Sequence, residues 1–196
     1  MSDEQAVIYL AHGDEDNRPV VEQMLKSLHH SIPLVTDSGK KLIEACVSQR
    51  PDLLISTIKL SDMDGIEALI ECSRLEPIPS IIISDTHDYD IVRKALEDHV
   101  MAYLAEPVAM SDLKPAIYLV QRRFQEFEDL RQENDELKTA LESRKLVERA
   151  KGIIMKKKNL DEDAAYRELR RLSNDRRTKM AEIAKTIVES SEMLGD

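Results

Sequence analysis

The last stretch of this chain carries cations at helical spacing. Arg167, Arg170 and Arg171 fall three and four positions apart, on one side of a helix. Arg149, Lys151, Arg176, Arg177 and Lys179 flank them, with Lys145, Lys156 and Lys157 close by, all expected to point outward. Such groups neutralise phosphates and release counterions, which makes affinity salt-sensitive. Arginine also stacks on unpaired bases, and Tyr166 is either a further aromatic platform or a core side chain. Gly152 sits inside a helical pattern, where glycine is about 1 kcal/mol worse than alanine. Its use is close approach of a helix or of a ligand. Ala150 beside it reads as a small contact surface or as helix packing.

A second set of polar residues falls at the ends of short apolar runs, His12, Gly13, Asp14, Thr57, Ser84 and Glu106, with Tyr103 inside the last run. Their chemistry is poor. Thr57 is a weak nucleophile with no base beside it in sequence. Thr57 therefore reads as a strand-end packing residue; a threonine phosphosite has no supporting feature. The two cysteines, Cys46 and Cys72, form no CxxC or Cys/His cluster, so zinc is not expected and reduced, buried thiols are. His29, His30, His87 and His99 are scattered, and no Ser/His/Asp or Cys/His constellation stands out. No enzyme, cofactor or metal is expected.

The elements that position these residues change along the chain. Val7 to Ala11, Leu34 to Thr36, Leu53 to Thr57, Ser80 to Ser84 and Ala102 to Ala105 are short apolar strands. Between them lie amphipathic helices, marked by Val20, Val21, Met24 and Leu25 and by Leu42, Ile43, Cys46 and Val47. Strands alternating with helices imply an α/β fold with a five-stranded parallel sheet covered on both faces. Reactive sites in such sheets lie at the carboxyl ends of the strands. This part spans residues 1–118. Residues 119–145 read as a long polar helix. Phe127, Leu130, Asn134, Leu137 and Leu141 fall at a and d spacing in it, Val120 lies one heptad earlier, and Arg144 ends the stripe. That is a short coiled-coil seam, or one helix packed on its own domain. Asn134 at an a position fixes a two-stranded register.

Residues 146–196 read as three short helices. Leu146, Val147, Ala150, Ile153 and Ile154 line the first, which suits an end at Asn159. Asp161 caps the second, whose inner face is Ala165, Leu169 and Leu172, and Thr178 caps the third, lined by Met180, Ile183, Ala184 and Ile187. Charge follows the same division. Residues 144–196 hold 14 Lys+Arg and 10 Asp+Glu, leaving 14 basic and 28 acidic residues in 1–143. An acidic body with a mildly basic tail suits a regulator whose tail touches phosphate; a solvated helical domain of mixed charge is the plainer reading. The start lacks an apolar signal core and no run reaches membrane-spanning length, so a cytoplasmic protein without membrane contact is expected.

Residues 148–183, ERAKGIIMKKKNLDEDAAYRELRRLSNDRRTKMAEI, resemble the ANTAR domain, the RNA-binding module of transcription antiterminators of the AmiR/NasR type. The order of the first part, with PDLLISTIKLSDMDGIEAL at 51–69 and YLAEPV at 103–108, resembles the receiver domain of response regulators. That resemblance implies a flavodoxin-like, doubly wound sheet and a cis peptide at Glu106-Pro107. It also implies an acidic pair where His12 and Gly13 stand, a phosphoacceptor Asp where Thr57 stands, and a Lys where Glu106 stands; Asp14, the one carboxylate left nearby, is a poor Mg²⁺ site, and Glu106 repels a phosphoryl group that Lys would attract. Ser84 and Tyr103 match the pattern. A pseudo-receiver that cannot be phosphorylated on Asp is the resulting expectation. The whole is expected to act as a homodimer on hairpin leader RNA, controlled by a regulatory protein on the pseudo-receiver. Two other classes compete. One is a protein-interaction adaptor, separated by salt-dependent binding to double-hairpin RNA. The other is a DNA-binding response regulator, separated by competition between duplex DNA and RNA; no helix-turn-helix pattern is evident.

Overall fold

The computed structural model describes residues 5–74, 76–85 and 100–193. His87 and His99 lie outside them. The chain divides into two compact units, Met1–Phe127 and Glu128–Asp196.

In the first unit, β1 (Val7–Ala11), α1 (Arg18–Ser27), β2 (Ser31–Thr36), α2 (Gly39–Ser48), β3 (Leu53–Thr57), α3 (Gly65–Cys72), β4 (Ser80–Ser84) and β5 (Val100–Ala105) follow in order. The strands form one parallel sheet in the order β2-β1-β3-β4-β5. Every residue of β3 and β4 is buried. That is why they read LLIST and SIIIS rather than alternating with polar residues. Burying each of the three β4 isoleucines stabilises the sheet by about 1.5–3 kcal/mol. One face packs Ile8, Leu10, Ile55, Ile81 and Ile83 with Val21 and Leu25 of α1. The other packs Tyr9, Leu54 and Ile82 with Leu42 of α2 and Ile66, Ala68 and Leu69 of α3. Val20 and Val47, expected on the inner faces of α1 and α2, are instead exposed. Each adds a fourth apolar position at the margin of a stripe already three residues wide. The strand order reverses between β1 and β3, which places the crevice of the sheet at their carboxyl ends.

The helix expected over 119–145 and the first helix of the tail are one element, α4 (Met110–Lys158). It begins earlier because Leu113, Ile117 and Val120 close the first unit's core. Val120 is therefore buried and does not extend the seam. No Gly or Pro lies between Ala116 and Lys151, so nothing in the chain ends the helix at 145.

In the second unit, α4 continues and is followed by α5 (Glu162–Arg176) and α6 (Met180–Met193). Ala150, Ile154, Ala165, Leu169, Ile183, Ala184 and Val188 form its core, with Leu146, Val147, Ile153, Leu172, Met180 and Ile187 packed around them. Asn159, in the left-handed region at φ 52°, ends α4, and the N–H of Leu160 donates to Met155 O at 3.2 Å. This is a Schellman end. The same closure ends α5 at Arg177, with φ 51° and Thr178 N–H donating to Ser173 O. Asp161 caps α5, its side chain accepting from Ala164 N–H. Thr178 does not cap α6: its hydroxyl donates to Arg176 O, because the left-handed turn at Arg177 points it back toward α5.

Candidate functional site

At the carboxyl ends of the strands, the polar residues are joined to one another. Thr57 Oγ1 accepts from Gly13 N–H at 3.0 Å and donates to Lys59 O at 3.0 Å. The hydroxyl is therefore used in both directions and stitches the loop after β1 to the loop after β3. Gly13 is required for that approach, since a Cβ there would lie 2.0 Å from Lys59 O. Gly65 opens α3 just as closely, because a Cβ would lie 1.8 Å from Thr57 O. Asp14 Oδ1 accepts from the N–H groups of Asp16 and Asn17, holding its carboxyl below the usual range.

His12 is fully buried. Its Nδ1 accepts from Asp14 N–H at 3.2 Å, which leaves the proton of the neutral ring on Nε2. Nε2 lies 3.3 Å from Glu106 Oε1, yet off the line of a hydrogen bond, so that N–H has no partner among the described residues. Burial pushes the imidazole below its ordinary value, against the pull of Asp14. Burial, then Asp85 and Asp14, push Glu106 up. The Glu106-Pro107 peptide is cis. Tyr103 OH donates to Ser84 O at 3.2 Å, and Glu106 N–H donates to the same oxygen at 2.9 Å.

Asp62 carries no signal in the sequence pattern. It bridges the loop after β3 to the amino end of α2, accepting from Ser38 Oγ at 2.7 Å and Gly39 N–H at 2.8 Å. A carboxylate there satisfies open helix donors and favours the positive end of the helix dipole. Arg18 is equally unmarked in the sequence; its Nε donates to His12 O at 2.8 Å.

In the second unit the expected cations separate into two groups. Arg167, Arg170, Arg176, Arg177 and Lys179 are exposed, and none makes an ion pair among the described residues. Tyr166, 43% exposed, shares a helix side with Arg170 four positions on, so it is not a core residue. Lys145 and Lys156 are likewise exposed and make no ion pair among the described residues, whereas Arg149, Lys151 and Arg171 are engaged. Arg149 meets Glu192 at 2.6 Å, and Arg171 meets Glu168 at 3.0 Å and Asp175 at 3.2 Å. Arg171 and Lys158 hold Glu168 down to about 2.

Two of the expected contact residues turn inward. Lys151 does not point outward. It is 8% exposed, and its Nζ contacts Glu162 at 2.7 Å and Glu148 at 2.9 Å. Its stem is thus buried while its ammonium pairs with one carboxylate on α4 and one on α5. Ala150 is fully buried in the core, so its smallness serves helix packing. A Cβ added at Gly152 would meet nothing within 4 Å. Close helix approach is thus excluded among the described residues, and the side of the helix there is open to them. The seam residues Phe127, Leu130, Leu137 and Leu141 are 47%, 66%, 64% and 53% exposed, and Asn134 is exposed with them.

Residues 8–118 match the response regulator receiver domain, and residues 135–188 match the ANTAR domain. The chain belongs to the response regulators that carry an ANTAR domain. One relative within this family is the transcriptional regulatory protein PdtaR of Mycobacterium tuberculosis. It is 33% identical over 93% of this chain and 89% of its own length. The receiver part extends the likeness further. The DNA-binding transcriptional regulator NtrC of Escherichia coli is 26% identical over 66% of this chain and 27% of its own. Among solved structures, the receiver domain of the sensor histidine kinase PA1611 from Pseudomonas aeruginosa has a magnesium ion in its active-site cleft. It superposes with a TM-score of 0.52 at 25% identity, covering 61% of this chain and 97% of that one. Among the described residues of this ANTAR-domain regulator, no helix is long and apolar enough to cross a membrane. The family is regulatory and non-enzymatic.

Proposed function

We propose that this chain is a cytoplasmic transcription antitermination regulator that binds hairpin leader RNA as a homodimer, and that its receiver-like domain does not take phosphate on Asp. The observation that carries the reading is the group of exposed, unpaired cations on α5 and the turn after it, beside the open face of Tyr166. Unpaired arginines bind phosphate without first giving up an internal partner, and an exposed phenol ring stacks on bases splayed from a hairpin loop. Gly152, with open space where a Cβ would stand, lets a backbone come close to α4.

The dimer would form along Phe127, Leu130, Asn134, Leu137 and Leu141, an exposed apolar stripe with one polar interruption. Two tails joined there would match two hairpins and gain avidity from the linkage. The receiver reading rests on Thr57, whose hydroxyl is used by Gly13 and Lys59. The residues there do not fit Mg²⁺. Asp14 already accepts two backbone N–H groups, and no group of three or more His, Cys, Asp or Glu among the described residues is placed to hold a metal ion. A regulatory protein seated on the receiver would then supply the signal.

The test is filter binding with transcribed double-hairpin leader RNA, against duplex DNA and single-hairpin competitors, over a salt series. Tight binding to the double hairpin that weakens with salt is expected. Binding to duplex DNA instead moves the protein to a DNA-binding regulator, and no binding to either makes it an adaptor.

A further inference from the structure

At the carboxyl ends of the sheet, one side-chain contact spans two strands. His12 follows β1 and Glu106 follows β5, with β3 and β4 between them in the sheet. His12 Nε2 nevertheless lies 3.3 Å from Glu106 Oε1. The imidazole is 1% exposed and the carboxyl 19%, so the ring is dry while the acid borders solvent. His12 Nδ1 already accepts from Asp14 N–H, so Nε2 carries the ring proton and is a donor, not a metal ligand. That buried N–H is aimed at the Glu106 carboxyl, yet it has no hydrogen-bond partner among the described residues. A buried donor without a partner is unfavourable. A turn of the carboxyl into line with it is favoured most when the carboxyl is charged.

We propose that Glu106 and His12 form a binding site for a single proton, held by the Glu106 carboxyl and sensed by the His12 N–H, which makes a pH-operated latch between the ends of β1 and β5. With Glu106 ionised, the carboxylate turns into line and accepts from Nε2–H, and the latch is closed. When a buffer acid gives up its proton, an O–H bond forms on the carboxyl, the charge is lost, and the hold on Nε2–H weakens. His12 keeps its own proton on Nε2 in both states. The surrounding groups decide where the proton goes. Burial, then Asp85 after β4 and Asp14 after β1, favour the neutral form of Glu106. Burial, outweighing Asp14 and joined by Arg18 of α1, keeps the ring neutral. Arg18 is held there by its Nε, which donates to His12 O at 2.8 Å. A second ring proton, on Nδ1, would also set donor against donor at Asp14 N–H. Asp14, Arg18 and Asp85 are the charged groups acting on the pair among the described residues.

The experiment is an NMR titration of the isotope-labelled full chain from acid to neutral pH, following the Glu106 carboxyl carbon and the His12 ring nitrogens, both assigned through the backbone. The pair belongs to the first unit, so no RNA is needed and a negative result leaves the RNA reading standing. The Glu106 carboxyl should titrate above the ordinary glutamate value of about 4.3. The His12 ring should shift with the same midpoint while remaining neutral, and its Nε2–H proton should move downfield as Glu106 ionises. Glu106→Gln should abolish that inflection at His12. His12→Phe removes the donor to the charged form and should move the Glu106 midpoint further up. A wild-type carboxyl that titrates at the ordinary value, or a ring that does not respond to it, overturns the site even where a variant fails to fold. A ring that becomes imidazolium at the Glu106 midpoint places the proton on His12 and overturns it equally. A midpoint unmoved by His12→Phe removes the latch.

Discussion

The Nζ of Lys151 lies 2.7 Å from Glu162 Oε1, so a cation on α4 is held against the first turn of α5. The hydrogen bond to Glu162, then that to Glu148, raises the lysine, and Lys151 in turn lowers Glu162. The raised lysine contributes stability that is present below its unfolded value and lost as pH rises through the folded one. The lowered Glu162 contributes above its unfolded value, and that contribution is lost as pH falls through the folded one. Lys151→Ala should therefore lower the unfolding temperature of the tail at neutral pH, with the difference from wild type shrinking at both extremes. Circular dichroism melts across the pH range check this. A variant that keeps its melting temperature but loses RNA would return Lys151 to the binding surface.

Glu168 gives a narrower pH test. Its carboxyl, held by Arg171 and then Lys158, sits at about 2, well below the ordinary glutamate value. Its contribution is complete above that ordinary value, and it is lost as pH falls from about 4.3 towards the folded value. Glu168→Gln should lower stability at neutral pH and flatten the decline in acid. Urea titrations at a series of acidic pH values give the slope, and an unchanged slope would mean that the ion pairs do not persist in solution.

Thr57→Val keeps the shape of the side chain but removes its hydroxyl. Gly13 N–H and Lys59 O then each lose a partner. The cost should be about 1–3 kcal/mol in urea unfolding. Thr57→Asp should not create a site that acetyl phosphate and Mg²⁺ can modify, since the backbone of Gly13 and Lys59 remains closed over that position. A stable acyl-phosphate adduct on either protein, seen by intact mass, contradicts the closed cleft.

What is legible in the sequence is local. The Asp161 cap, the end at Asn159 and the buried strands β3 and β4 follow from residues a few positions apart. The cis Glu106-Pro107 bond follows from the family pattern. Contacts between distant residues are not legible. The partner of Thr57 is Gly13, 44 positions away, and the partner of Ser38 is Asp62, 24 away. Lys151 misleads for the same reason: its position on α4 suggests solvent, and only the fold brings Glu162 over it. The helix end expected at 145 is absent because a change of role along a helix leaves no mark when its backbone continues.

The seam makes a separable prediction. Leu137→Lys places a charge in the middle of the exposed stripe, next to Asn134 by one helical turn. If the stripe joins two copies, sedimentation should show the wild type as a dimer and the variant as a monomer with unchanged helicity. RNA with one hairpin should then bind both alike, while the double hairpin loses its advantage with the variant. A wild type that sediments as a monomer at micromolar concentration removes the dimer.

Gly152→Ala separates stability from binding, because the two should move in opposite directions. A Cβ at that position meets nothing within 4 Å, so the substitution carries no steric penalty within the chain. It removes the helix penalty of glycine and should stabilise the tail by about 1 kcal/mol. If the open side of α4 is where a nucleic-acid backbone comes close, the added methyl should weaken hairpin RNA binding in the more stable protein. Arg170→Ala, which removes an unpaired cation beside Tyr166, should also weaken binding and should reduce the salt dependence. Filter binding and thermal melts on the same samples decide it. Greater stability with unchanged affinity would move the RNA contact off α4 and leave α5 as the binding surface.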